Sequence, residues 1–285
     1  EASKEARKEA KANEVVTPET QAKRDDSQAK RAEKRQVEVK SGLDALDLWL
    51  RDRVRTGLGE LQVGDPIWSQ RASALRNAKA ARLANRVEAL GWIVGGSADW
   101  PERLLGAMGR VALLVDAYSR IDTLPEPIQA DLRNEIGWNV DKDEVLAKGE
   151  SIDDRWLVLG QVEEDDERVR SQRSWMYGLS TGRIALLLQF SAGAKAFPER
   201  VLVGSAIQAK LAFYPSAWPL RAVVAERADT LDWHGPWPGH PTVDSFFAEL
   251  GRAAAAIPWI DTMPCALRDV IPVPGDPWWV RDSEG

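Results

Sequence analysis

The chain has 285 residues, 44% hydrophobic and 29% charged, enough for one large core or two ordinary ones. A net charge of -6 and a pI near 5.2 exclude a uniformly basic nucleic-acid-binding surface, so any such role must rest on a local patch. A single cysteine, Cys265, excludes an intramolecular disulfide and suits a reducing, cytoplasmic compartment, and no apolar run approaches the ~20 residues that span a bilayer.

The opening EASKEARKEAK has neither an initiator Met nor a signal peptide and reads as the interior of a longer protein. Residues 1–42 form a charged linker or helix, with both signs of charge and no apolar face. Pro18 interrupts this stretch. Lys30, Arg31, Lys34 and Arg35 could make it a phosphate-touching arm; a solvated, partly helical linker is the plainer account.

Residues 43–150 read as a helical domain. In SGLDALDLWLRDRVRTGLGEL, Leu43, Leu46, Leu50, Val54, Leu58 and Leu61 recur at three- and four-residue steps, one helix face, with Ser41 and Asp44 as a capping box. GDPIWSQRASALRNAKAARLANRVEAL reads as one helix, with Asp65 as its cap, Pro66 at its first position and Gly91 at its end. DWPERLLGAMGRVALLVDAYSRI, LPEPIQADLRNEIG and the short KDEVLAKG continue the series. Short connections between amphipathic helices predict an antiparallel bundle of about four helices.

Residues 151–285 read as a β-rich domain. DRWLVLGQVEE, ERVRSQRSWMYGL, IALLLQF, AIQAKLAF and LRAVVAER are strands at short spacing, which favours antiparallel pairing. The second places Val169, Ser171, Arg173, Trp175 and Tyr177 on one face. The acidic run 163–167 between the first two lacks the spacing of a calcium loop and reads as a charged turn. After a Pro/Gly/Trp-dense loop, DWHGPWPGHP, comes one late helix, TVDSFFAELGRAAAAI, with Thr242 or its neighbour as cap. CALRDVIPVPGDPWWVRDSEG then reads as strand, turn, strand. The fold class expected is α+β: an N-terminal helical bundle, then a mostly antiparallel β-rich domain. Most of the thirteen tryptophans should be buried or half-buried, with a few lining a surface groove.

Two places could meet a partner. In FYPSAWPL, two prolines end one strand and begin the next, holding Tyr214 and Trp218 extended at a connection, with Lys210 and Arg221 nearby. This is either a structural corner or an aromatic platform beside cations, suited to nucleic-acid bases or protein side chains. In ERVRSQRSW, Arg168 and Arg170 share one strand face, and Arg173 and Trp175 the other. That pattern suits an anion or nucleic-acid surface, and equally Arg–Trp stacking for stability.

Catalytic motifs are sparse. There is no P-loop, dinucleotide fingerprint or nucleophile elbow. Cys265 reads as an ordinary buried thiol, and His234 with His240 as solvent-facing loop residues that would need a further ligand to hold a metal. The preferred reading is therefore not an enzyme; an active site assembled from scattered residues and a purely structural scaffold are the alternatives.

The segments GLDALDLWLRDRVRTGL, DRWLVLGQ, RSQRSWMYG, AFYPSAWPLRAVV and LRDVIPVPGDPWWVRDSEG, in this order, resemble the C-terminal region of bacterial SWIM zinc-finger family proteins. Residues 1–40 are similar to the Lys/Arg/Glu/Ala-rich stretch that follows the finger in that family. The family's Cys-x-Cys…Cys-x-His zinc motif is absent here, so the resemblance implies zinc binding by an upstream segment of a parent protein and by no residue of this chain. It also implies an interaction role with a protein or DNA. Genomic association in the family points to MoxR-type ATPases or von Willebrand factor A proteins as partners.

Overall fold

A computed structural model describes residues 18–166, 169–193 and 195–284. By its contacts the chain divides into two compact units, one ending at Met108 and one beginning at Gly109. The division falls inside a helix.

The first unit opens on α1 (Pro18–Thr56). Proline suits a first helical position, where no intrahelical N–H bond is lost. The helix therefore starts at Pro18 and runs unbroken past residue 42. Ser41 lies inside it, so the expected capping box does not form. Val39, Leu43, Leu46, Trp49 and Leu50 are buried at helical spacing. Residues expected to form one helix form two, α2 (Ile67–Asn77) and α3 (Ala81–Ala89). The break sits at Lys79, whose φ is 65°, with Ala80 donating back to the Leu75 carbonyl at 2.9 Å. Asp65 accepts from the Ile67 N–H at 2.9 Å, one position outside the helix it serves. Trp49 meets Trp68 edge-on, with ring centroids 5.5 Å apart, and Arg71 lies over the Trp49 ring. Gly42 permits a close approach to α2: a Cβ there would lie 2.5 Å from the Ala78 Cβ.

Helix α4 (Trp100–Ser119) spans the division and buries Leu104, Met108, Val111, Leu114, Val115 and Tyr118. The second unit continues with α5 (Glu126–Ile136), ended by Gly137 in the left-handed region, and α6 (Lys142–Lys148), capped by Asp141. None of the helices of the described residues is long and apolar enough to cross a membrane.

Five strands follow: β1 (Ser151–Asp166), β2 (Val169–Gly178), β3 (Ile184–Ala192), β4 (Ser205–Phe213) and β5 (Arg221–Asp232). They form a closed barrel in the order β1-β2-β3-β5-β4, with β4 paired back to β1. Every pairing is antiparallel except β3 with β5, which join in parallel at Leu186–Arg221 and Leu187–Ala222. Closure pairs the edge strands that an open sheet would leave free. The long β1 serves both neighbours: Ser151–Leu157 pair with β4, and the strand from Trp156 onward pairs with β2. A register shift between Val158 and Gly160 bends it between the two. Trp156, Val158, Met176, Leu187, Ile207, Leu211 and Phe213 fill the interior. The Trp156 indole donates to the Ala209 carbonyl at 2.9 Å, which satisfies its buried N–H.

The late helix, α7 (Val243–Ala256), is capped by Thr242 in a reciprocal box with Ser245. A small hairpin, β6 (Ile271–Val273) and β7 (Trp279–Arg281), ends the chain. Trp49, Trp68, Trp156 and Trp259 are buried, whereas Trp92, Trp237, Trp278 and Trp279 are exposed.

Candidate functional site

The outer face of β1, β2 and β3 carries the most distinctive surface of the second unit. Strand alternation sends Gln172, Ser174 and Met176 of β2 inward and leaves Arg173, Trp175 and Tyr177 half-buried on the outside. Against this face the chain returns twice, as the loop 233–242 and as residues 264–267. The two returns are tied together: His240 donates to the Ala266 carbonyl at 2.7 Å, and Arg268 donates to the His240 carbonyl at 3.1 Å. Gly239 makes this possible, because a Cβ there would lie 2.9 Å from the Ala266 oxygen. Between barrel face and returns lies an open cleft of about 770 Å³. Trp175, Tyr177 and Ile184 line it from the barrel, and Trp237, Pro238 and Pro264 from the returns.

Its polar groups are few. His240 Nε2 lies 3.3 Å from the Glu249 carboxylate of α7, and the imidazole meets Phe246 edge-on. Cys265 lines the same cleft; contrary to the sequence reading it is exposed, and partial desolvation pushes its thiol above the usual range. His234 is exposed. Among the described residues no group of three His, Cys, Asp or Glu side chains could hold a metal ion. With one cysteine and two histidines in the whole chain, the donor set does not fit a Cys-x-Cys…Cys-x-His finger.

The other residues singled out in the sequence fall elsewhere. Arg168 lies outside the described residues. Arg170 pairs with Glu163 at 2.9 Å and covers the Phe197 ring, and Arg173 pairs with Glu164. These acids belong to the run 163–167, which the β1–β2 register lays beside the arginines. Hydrogen bonds from Gln172 and Arg170 hold the Glu163 carboxyl below its ordinary value. Lys210 reaches Glu226 at 3.5 Å. Of the β2 residues singled out as a partner surface, Arg170, Arg173 and Trp175, only Trp175 is among the residues that line the cleft.

Tyr214, Trp218 and Arg221 sit together at the β4–β5 connection. The Tyr214 N–H donates to the Arg221 carbonyl at 2.9 Å, and the Arg221 guanidinium lies 4.3 Å over the Tyr214 ring. The Trp218 N–H donates to Ser216 Oγ at 3.1 Å. The carboxylate of Asp131, buried on α5, accepts from the Ala217 N–H at 2.8 Å. Desolvation pushes the Asp131 carboxyl up to about 6; the bonds from Ala217 and Ser216 oppose this, and neighbouring Glu135 adds to it. The corner is thus held by Ser216, Arg221 and a carboxylate from α5.

Sequence reasoning passed over Tyr177 as a site residue, and also Trp237, His240 with Glu249, Asp131 and Asp154. Asp154 holds the β2–β3 turn, accepting from the Thr181 hydroxyl at 2.7 Å and from the N–H groups of Thr181, Ser180 and Arg155. Burial raises its carboxyl, but these four donors outweigh that and keep it below its ordinary value. The density of Trp, Pro and Gly over 233–241 was the visible signal for the cleft.

Comparison with known proteins adds one finding. No curated protein and no solved structure matches the chain. Residues 34–136 match the family described as the SWIM-associated four-helix bundle domain, a stretch that takes in most of α1 and all of α2 to α5. Over residues 34–136 the chain is thus similar to the SWIM-associated four-helix bundle domain, consistent with its resemblance to a C-terminal region of SWIM family proteins.

Proposed function

We propose that this chain is a non-catalytic interaction region of a SWIM-type protein and that it engages another protein. The observation that carries this reading is the cleft: an open, aromatic and proline-rich surface without Lys or Arg among its lining residues. Surfaces of this kind recognise apolar protein segments. The charge distribution weighs against nucleic acid. Arg170, Arg173 and Lys210 each pair with a glutamate, and the chain carries a net charge of -6, so little uncompensated positive charge faces a phosphate backbone. The raised thiol of Cys265 weighs against a nucleophile, which must act as thiolate. Zinc binding is assigned to the parent protein, and the cytoplasm is the compartment that suits the role. MoxR-type ATPases and von Willebrand factor A proteins are the first partners to try.

The test is affinity capture with quantitative mass spectrometry, using this chain and its longer parent in parallel, followed by titration with an oligothymidylate and duplex DNA between about 50 and about 200 mM salt. Recovery of one common protein partner, without salt-dependent DNA association, is expected. Capture by the longer protein alone, or tight DNA binding with a steep salt slope, refutes the reading.

A further inference from the structure

We infer that the cleft on the outer face of β1, β2 and β3 binds an extended, proline-containing peptide segment that carries a Lys or Arg side chain. The inference rests on the protein-binding reading above and gives it a site and a ligand class.

Size comes first. A volume of about 770 Å³ lies inside the roughly 300–1,000 Å³ range of ligand pockets, enough for a few residues of chain and too little for a folded domain. The cleft is also pre-formed. The backbone bonds between His240, Ala266 and Arg268 and the capped helix behind Glu249 fix its outer wall, so little ordering accompanies binding.

The hydrogen-bonding inventory decides the ligand's backbone. Trp175 Nε1, Trp237 Nε1 and Tyr177 Oη make no hydrogen bond among the described residues. An indole N–H is a donor only, and a phenol donates as well as accepts. The cleft therefore presents spare donors beside flat apolar rings, and Trp237 keeps half of its surface in water. A polyproline II segment is the complement. It has no internal hydrogen bonds, its carbonyls are free to accept, and its prolines bring no N–H that would need an acceptor. Its rings pack on aromatic walls. A polyhydroxylated ligand brings a donor with every hydroxyl, and the lining side chains offer few acceptors, chiefly Tyr177 Oη and the Glu249 carboxylate.

Charge decides the side chain. The lining holds the Glu249 carboxylate and no Lys or Arg. An anionic ligand, nucleic acid included, would meet no Lys or Arg there and would face the Glu249 carboxylate. A Lys or Arg on the peptide finds in Glu249 its counter-ion, held in place by His240.

The experiment follows the tryptophan indole signals of ¹⁵N-labelled full chain by NMR, assigned with Trp175→Phe and Trp237→Phe. The probes are a capped peptide of three Pro-Pro-Arg repeats, its Pro-Pro-Glu counterpart, an oligothymidylate and a cello-oligosaccharide. The Arg peptide is expected to shift the Trp175 and Trp237 signals. Trp175→Ala should weaken it by about tenfold or more, and Glu249→Gln by roughly three- to tenfold. Both variants must keep the remaining indole signals in place. If the Arg peptide leaves both signals unmoved, the inference falls; it falls equally if the Glu peptide, the oligothymidylate or the oligosaccharide shifts them as much. A partner captured as above and still held by both cleft variants would overturn the cleft as its site while leaving the protein-binding reading intact. Capture of no protein by the native chain would remove both.

Discussion

Asp131 offers the sharpest test of how the β4–β5 corner is held. Its carboxylate is buried, accepts from the Ala217 N–H at 2.8 Å, and has its pKa raised from 3.8 to about 6. A folded state that binds a proton more tightly than the unfolded chain is stabilised by protonation. This contribution is full below about pH 4, falls as pH rises, and is gone above about pH 6. Two pKa units correspond to about 3 kcal/mol. Asp131→Asn removes the titration and keeps an oxygen for Ala217. At pH 7.5 the asparagine avoids the desolvated charge but must place an NH₂ group where only acceptors stood. The expected net gain over the native chain is therefore about 1–2 kcal/mol, less than the pKa shift alone would give. At pH 4.5 the native aspartate is mostly protonated and the gap should close to within about 1 kcal/mol. Urea unfolding of both proteins across this range measures the difference, in which all other titrations cancel. A gap that is constant with pH, or an asparagine variant that loses stability more at pH 7.5 than at pH 4.5, would show that the Ala217 and Ser216 bonds outweigh desolvation, and would refute the reasoning.

Three other outcomes follow from the packing. Asp154→Ala leaves the Ser180 and Thr181 N–H groups without their acceptor and should cost about 2–4 kcal/mol in chemical denaturation. Because the folded carboxyl lies below its ordinary value, the native bond network is complete above about pH 4 and weakens only as pH falls further. Gly42→Val drives a side chain into Ala78 and should lower stability by about 1–3 kcal/mol, with Ala78→Gly restoring part of it in thermal melts. Deleting residues 1–33 should leave the thermal midpoint nearly unchanged, whereas deletion through Val39, which is fully buried, should lower it clearly.

The helices were legible because their apolar residues recur at helical spacing, and the strands because theirs alternate. What escaped was whatever depended on partners distant in sequence. The break between α2 and α3 rests on Lys79 in a left-handed conformation, and a lysine gives no warning of that. Barrel closure rests on the bulge in β1 and on a two-residue parallel contact between β3 and β5. The glycine inside VLGQV was its one trace. The corner was readable from Pro215 and Pro219, but its buried partner Asp131 lies 86 residues earlier and carries no motif. The cleft needs β2, a loop, one helix residue and a second return of the chain to meet, and no local pattern encodes that meeting.

The two aromatic clusters that look alike in sequence differ in one physical respect. At the β4–β5 corner the Tyr214 face is covered by Arg221, and the turn N–H groups of Ala217 and Trp218 are taken by Asp131 and Ser216. The backbone of that corner is held by its neighbours, one of them a carboxylate from α5. On the outer barrel face Trp175, Tyr177 and Trp237 line an open cleft with donors that nothing among the described residues accepts. Rings so placed lose little solvation when an acceptor-rich, donor-poor chain replaces the water on them, and they gain the burial of apolar area. An open cleft in front of the rings, rather than the rings themselves, therefore separates a surface placed to bind from one that holds the fold.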